Sequence, residues 1–161
     1  MQICPMKRKK RALGDEDTLR IMRDGEYCIL ATVGRDNQPY GVPLSYVYED
    51  GKMFFHCAHR GHKLDNLAHN ERCSVTVIGK TQVVYDEDFT TYFESVIAFG
   101  RCYAITDEGE KKEALMALIL KYLPEHQDKA EESIARSMKA TAIYCVEIEH
   151  MTGKAKRGKH L

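Results

Sequence analysis

The dipeptide Asp50-Gly51 constrains the fold of this chain more than any other feature, because it stands between two runs with strand character. Asp-Gly readily fills the two positive-φ positions of a tight turn whose twist matches that of paired strands. Residues 40–48 and 52–58 are therefore expected to form an antiparallel hairpin. In the first run Tyr40, Val42, Leu44, Tyr46 and Tyr48 share one face, and Gly41, Pro43, Ser45 and Val47 share the other. Glycine and proline inside a strand mark an edge, a bulge or a close approach by a ligand or another backbone. Two readings stay open for the small face: a flat group lying against Gly41, Pro43 and Ser45, or a bulge that curves a barrel.

Further strands are expected at residues 27–33 (YCILATV), 73–80, 94–105 with Gly100 as a bend, and 141–148, each rich in β-branched and aromatic residues. Residues 86–92 are predicted as a polar connection that carries the hydroxyls of Thr90, Thr91 and Tyr92. A short helix is expected after Asp15–Asp17, packing through Leu19, Ile21 and Met22 and stopping at Gly25. From Asp107 the period changes to 3.6, with Leu115, Leu118, Ile119 and Tyr122 on one face and Pro124 at the end. A weaker helix follows at residues 128–138, with Ala130, Ile134 and Met138 as its stripe. Hairpins early and helices late predict a mainly β domain, a six-stranded antiparallel barrel with flanking helices. There is no G-x-G-x-x-G after the first strand and no G-x-x-x-x-G-K-[ST], which disfavours Rossmann and P-loop nucleotide sites.

Composition bounds the function classes. The 161 residues suit one domain, residues 15–153, between a basic N-terminal segment (1–14) and a basic C-terminal tail (154–161). Lys plus Arg equals Asp plus Glu at 24 each, so net charge argues for neither a polyanionic partner nor a membrane, and any anion site must be local. The clusters at 7–11 and 154–160 read as solvated termini; nucleic acid bound through them is the weaker reading. No run reaches the roughly 18 apolar residues of a spanning helix, and the first residues lack a signal-peptide centre, so a soluble cytoplasmic protein is expected. The six cysteines are scattered without a C-x-x-C pair and read as buried reduced thiols.

Chemistry concentrates in residues 53–70, MFFHCAHRGHKLDNLAHN: a strand, a basic turn around Gly61 and a short helix over 63–68. Such a junction gathers backbone N–H groups, a helix N-terminus and cationic side chains, the parts of a phosphate site. Arg60, His62 and Lys63 add charge there, with Lys63 the leading phosphate ligand against the alternative of an ordinary exposed lysine. His56, His59 and His62, beside Cys57, raise a metal site. Their spacing crosses a strand end and a turn and no carboxylate completes the set, so no metal is expected. His56 points away from Phe55 and Cys57, either as a proton donor or pocket wall or as a hydrogen-bonded structural residue.

The segments GEYCILATVGRDNQPYGVPLSYVYEDGKMFFHCAHRGHKLDNL, VIGK and FTTYFESVIAFGRCYAITDEGEKKEALMALILKY resemble the pyridoxamine 5′-phosphate oxidase-like flavoproteins, and within them the Nim-type, nitroimidazole-resistance branch. The resemblance covers roughly residues 19–154. It implies a split β-barrel that forms a homodimer and binds FMN at the subunit interface. By the same resemblance Ala31, Thr32 and Val33, with Pro43, Leu44 and Ser45, would line the isoalloxazine. His56, Cys57 and Ala58 match a strand segment beside the flavin, and Lys63 after Gly61-His62 matches the phosphate position. Asn66 follows on the same helix, and Glu94 and Ser95 match a strand start that approaches the cofactor. The Arg- and Lys-bearing strand motif and the C-terminal substrate signature of true pyridoxamine phosphate oxidases are not recognisable, which argues against vitamin B6 oxidation. The implied activity is an FMN-dependent oxidoreductase that takes electrons, with NAD(P)H as a candidate donor, to a small acceptor such as a nitroaromatic, His56 or a water supplying a proton. The alternative is a flavin-, deazaflavin- or haem-binding protein without efficient turnover, the histidines keeping haem open.

Overall fold

A computed structural model of the chain describes residues 3–86 and 88–158. In order, its elements are α1 (Asp15–Asp24), β1 (Cys28–Val33), β2 (Pro39–Leu44), β3 (Val47–Glu49), β4 (Lys52–Cys57), α2 (His62–His69), β5 (Arg72–Asp86), β6 (Asp88–Ala104), α3 (Glu108–Tyr122), α4 (Ala130–Ser137) and β7 (Ala142–Lys156), with short 3-10 turns beside them. The Asp50-Gly51 turn joins β3 to β4 with φ of 44° and 83°, as the hairpin requires.

Every ladder is antiparallel, and the strands form one sheet in the order β2-β1-β5-β6-β7-β4-β3. Strands β2 and β3 are neighbours in sequence yet stand at opposite ends of that order. Six strand spacings would separate the edges by about 29 Å in a flat sheet, while the link through Ser45 and Tyr46 spans at most about 11 Å. The sheet must therefore curl until its edges meet. Among the described residues no ladder joins β2 to β3, so the barrel is split along that seam.

This corrects the strand count from six to seven, because the 40–48 run is two strands. Burial alternates through Leu44, and then Tyr46, Val47 and Tyr48 are all buried. The backbone N–H of Tyr46 donates to the Tyr122 hydroxyl at 2.9 Å, and its own hydroxyl donates to the Met22 carbonyl at 2.7 Å. Tyr46 thus anchors to α1 and α3 instead of continuing a ladder.

A second correction concerns residues 86–92. From Asp88 they belong to β6, with Thr90 opposite Val84 and Thr91 opposite Val83. Their β-branched and aromatic residues satisfy the ladder, which outweighs their polarity; position 87 lies outside the described residues. Strand β7 likewise runs on through Lys156, with Lys154 paired to Ser95, while residues 1–2 and 159–161 of the basic termini lie outside the described residues. Gly100 does mark an irregularity: the β6–β7 register shifts between Phe99 and Gly100, and a Cβ there would collide with the Glu147 carbonyl.

Inside the barrel Ile21 and Met22 of α1 pack on Leu30, Tyr46, Met53, Phe55, Val75, Val77 and Val96. A second core of Ile105, Ala114, Leu115, Ile134 and Ile143 holds α3 and α4 against the sheet. Helix α3 starts where Asp107 accepts a hydrogen bond from the Glu110 N–H at 2.9 Å. Cys28, Cys73, Cys102 and Cys145 are buried, Cys57 is half-buried and Cys4 is exposed, all as free thiols. Among the described residues no helix is long and apolar enough to cross a membrane.

Candidate functional site

Helix α2 presents an open N-terminus at the end of β4. Gly61 precedes it with φ 147°, a conformation that favours glycine, and no side chain caps it. The N–H groups of Leu64 and Asp65 bond to the Gly61 carbonyl at 2.8 and 3.2 Å. The N–H groups of His62 and Lys63 come ahead of those bonds, at the end where helix donors lack intrahelical partners. Lys63 is half-buried. Burial pushes the Cys57 thiol up and the nearby Lys63 charge offsets this only in part, so Cys57 is held as a thiol, not a thiolate.

A tight corner fixes this helix against β1 and β2. Buried Asn66 donates through Nδ2 to the Thr32 hydroxyl at 3.0 Å, and that hydroxyl lies 3.5 Å from the Tyr40 carbonyl. The His62 ring lies tilted against Tyr40, 4.1 Å between centroids at 32°. Gly34 leaves room for Asn66, whose Oδ1 would stand 2.9 Å from any Cβ placed there. Outside the barrel, Ala31 lies between Gly41 and Ser74, Val33 opposite Pro39, and Pro43 opposite Ile29. Gly41 and Pro43 are exposed and Ala31 is half-buried, so a low, smooth surface lies beside the α2 corner; Leu44 faces the other way, onto the core.

Ser45 and His56 meet elsewhere on the same wall. Continuing the Val47–Phe54 pairing sets Ser45 opposite His56, and both line a cavity of about 510 Å³ roofed by α3 and α4. Cys57 ends β4 opposite Ala142, and Ala58 is exposed just beyond it. The three histidines diverge: His56 faces the cavity, the His59 Nε2 lies 3.1 Å from the Lys139 carbonyl, and His62 covers Tyr40. Among the described residues no three of His, Cys, Asp and Glu gather as metal ligands would.

Glu94 is engaged in a different place. Its buried carboxylate accepts from Arg157 at 2.7 Å and from Arg20 at 3.0 Å, and both arginines also pair with Asp17. Burial works to raise the Glu94 carboxyl, but the hydrogen bonds from Arg157 and Arg20 outweigh it and hold it below the usual carboxylate range. With Lys80, Phe93 and Lys156 these groups line a separate pocket of about 270 Å³. Ser95, the next residue, points outward, paired with Ile78 and Lys154.

Of the residues singled out in the sequence, Thr32, Asn66 and His62 come together at this corner; Tyr40 as the surface under His62, and Arg20 and Arg157 as the clamp on Glu94, were not among them. The alternation of β2 ties Tyr40 to the core-side residues and carries no sign of a ring partner. Arg20 follows Asp17 at helical spacing, an ordinary surface pattern, and Arg157 sits within a basic run.

A family model described as Pyridoxamine 5′-phosphate oxidase matches residues 14–155. Solved structures share the fold. A candidate 5-nitroimidazole antibiotic resistance protein from Bacteroides thetaiotaomicron VPI-5482 is 21% identical, with a TM-score of 0.76 over 89% of this chain and 86% of that one. A FAD and heme binding protein from Mycobacterium smegmatis is 20% identical, with a TM-score of 0.80 over 93% and 75%. A FAD-binding protein from Mesorhizobium loti is 24% identical, with a TM-score of 0.66 over 91% and 98%. No curated protein sequence matches the chain.

Proposed function

The chain belongs to the pyridoxamine 5′-phosphate oxidase family, and on that premise we propose that it is a cytoplasmic, homodimeric FMN-binding oxidoreductase that reduces a small acceptor such as a nitroaromatic, with NAD(P)H as donor. The open N-terminus of α2 is the observation that carries this reading. Its two leading N–H groups and the half-buried Lys63 make an anion site with no side chain already filling it. Arg60 adds charge on the preceding turn. Beside it, Gly41, Pro43 and Ala31 leave a surface free of bulky side chains, against which a planar ring can lie. Phosphate donors at one end and a flat wall at the other suit FMN.

In this reading Lys63 and the α2 N–H groups hold the phosphate, and the Asn66–Thr32 bond keeps the helix start at a fixed distance from β1. Val33 and Ala58 border the wall, while Leu44 and Cys57 back it from the core side, with Cys57 kept uncharged. Bound FMN supplies the hydride chemistry. Each hydride passed to a neutral acceptor calls for a proton, and His56, exposed at the mouth of its cavity, can hold one on a ring nitrogen. Glu94 fixes Arg20 and Arg157, and Ser95 is the member of that pair facing outward to a ligand.

The visible absorption spectrum of the purified protein tests the cofactor, because flavin, deazaflavin and haem absorb differently. Flavin bands are expected, together with anaerobic NAD(P)H-dependent reduction of a nitro compound. A colourless protein that rejects added FMN would refute the cofactor reading. A flavin-loaded protein without turnover for any donor would leave a carrier and refute the enzyme.

A further inference from the structure

Two basic runs that stand far apart in the sequence, KRKKR at residues 7–11 and KAKR at residues 154–157, meet in the fold. The β4 ladder on β7 stops at Glu147, and farther along the same edge the N-terminal segment takes its place. Ala12 bridges to Lys154, and the Leu13 N–H donates to the Gly153 carbonyl at 3.0 Å. A Cβ at Gly153 would crowd Leu13 and collide with the Thr18 hydroxyl, so glycine is what lets the segment come this close. Leu13 packs on the barrel core, and residues 9–11 close a 3-10 turn in which the Ala12 N–H donates to the Lys9 carbonyl at 3.0 Å. The first basic run is thereby held beside the second.

Charge is segregated as a result. Residues 3–14 and 154–158 hold eight Lys and Arg and no Asp or Glu, which leaves 16 Lys and Arg against 24 Asp and Glu in the rest of the chain. A protein of zero formal charge therefore carries a basic strip on an acidic body, and such a field gathers a polyanion at one place. Asp17, just beyond at the start of α1, is paired with Arg20 and Arg157, and Lys156 donates to the Thr90 hydroxyl. Lys7, Arg8, Lys9, Lys10, Arg11 and Lys154 enter no ion pair among the described residues. The kind of polyanion follows from the side chains. Five of the eight cations are lysines, which are depleted in protein–protein interfaces and are regular phosphate contacts. Of the exposed large apolar side chains only Ile3 lies in these segments, so the anchors that hold a protein on a bilayer are missing. Lys154 and Lys156 share one face of β7, opposite Ser95 and Phe93, about 7 Å apart along the strand. Phosphates on one strand of a duplex rise about 3.4 Å each, so this pair matches every second phosphate.

We propose that the joined basic segments dock a nucleic-acid duplex through its phosphates. The docking surface needs no bound flavin and stands apart from the reading above. Fluorescence anisotropy of a labelled 20-base-pair DNA duplex, titrated with the full-length protein at about 50 mM salt, is expected to show saturable binding. An RNA duplex of the same length identifies the source by its relative affinity. The logarithm of the binding constant should fall against the logarithm of salt with a slope of about −4 to −6, for roughly five to seven phosphates neutralised. Phosphate contacts carry no sequence information, so two unrelated duplex sequences should bind within threefold of one another. Lys7→Gln, Arg8→Gln, Lys9→Gln, Lys10→Gln and Arg11→Gln combined should weaken binding at least thirtyfold, and Lys154→Gln with Lys156→Gln at least threefold. Lys129→Gln with Lys139→Gln, exposed at the two ends of α4, should leave it unchanged. On the isotope-labelled wild type, the duplex should shift the amides of residues 8–12 and 153–157, a readout that requires no variant. No saturable binding, a slope shallower than about −2, full affinity in either folded variant of the strip, an equal loss in the Lys129 and Lys139 control, or shifts confined to other residues would each overturn the proposal. So would tighter binding to polyglutamate or to phosphatidylserine vesicles, which would make the strip a site for an acidic protein or a membrane.

Discussion

Lys63 sits where deleting its charge and deleting the phosphate of its ligand should be equivalent. Lys63→Ala is expected to weaken FMN by about ten- to hundredfold, the worth of one hydrogen bond to a charged group, and to leave riboflavin affinity nearly unchanged. Equal losses for both ligands, measured by fluorescence titration, would mean that Lys63 supports the fold. Glu94 leads to a prediction in pH. Its folded pKa is below its unfolded value of 4.5, so between the two the unfolded chain binds more protons. The stability it contributes is complete above the unfolded value and is lost as pH falls through the folded one. Melting curves on acidification below about 4.5 should therefore fall more steeply for wild type than for Glu94→Gln; parallel curves would show that the arginine clamp adds nothing. The contrast between these residues explains what was legible. Lys63, His62 and Asn66 lie within one local motif, whereas the partners of Glu94 are 74 and 63 positions away, and no spacing rule reaches that far.

Elements were legible wherever their own pattern decided them. Helix α1 ends at Gly25, α3 begins at Asp107, and the β3–β4 turn falls on Asp50-Gly51, because caps and turns are set by residues in place. The seam of the barrel was not legible, since the break at Ser45 and Tyr46 is made by Tyr122, 76 positions later, and a pleat pattern alone continues through it. Strand extension past Lys80 was missed for a related reason: paired polar residues in a ribbon look like a loop until the partner strand is known. At this scale the Asn66–Thr32 bond ties α2 to β1 and can be tested directly. Asn66→Ala leaves the buried Thr32 hydroxyl without its donor, and a loss of about 1–3 kcal/mol in urea unfolding is expected. A loss well below that range would mean that a water takes over as donor to the Thr32 hydroxyl. Because the bond sets where the helix start lies, FMN affinity should fall along with stability.

The molecule as a whole carries an outer sheet face that one chain does not cover. Pro43, Ile29, Thr76, Ile97 and Thr152 lie in register across β2, β1, β5, β6 and β7, with Ile97 and, one row on, Ile78 each more than 40% exposed. An antiparallel sheet facing only water normally alternates to polar residues on its outer side, and exposed isoleucines among the threonines there mark a contact surface. Strands β5 and β6 then run on as a ribbon with Val83, Tyr85 and Phe89 exposed, and two strands alone are marginal in water. A second copy meeting this face would cover the row, and the smooth surface at Gly41, Ala31 and Pro43 belongs to the same side of the sheet. The proposed FMN wall and the proposed dimer face are thus continuous. That continuity couples cofactor binding to assembly by mass action: a ligand held between subunits binds the dimer and not the separated chains. Ile97→Glu should therefore yield a folded monomer in light scattering, with native circular dichroism, and that monomer should have lost most of its FMN. Dilution of the wild type through its dissociation range should release flavin in step with the dimer, and retention of flavin by a monomer would place the whole site within one chain.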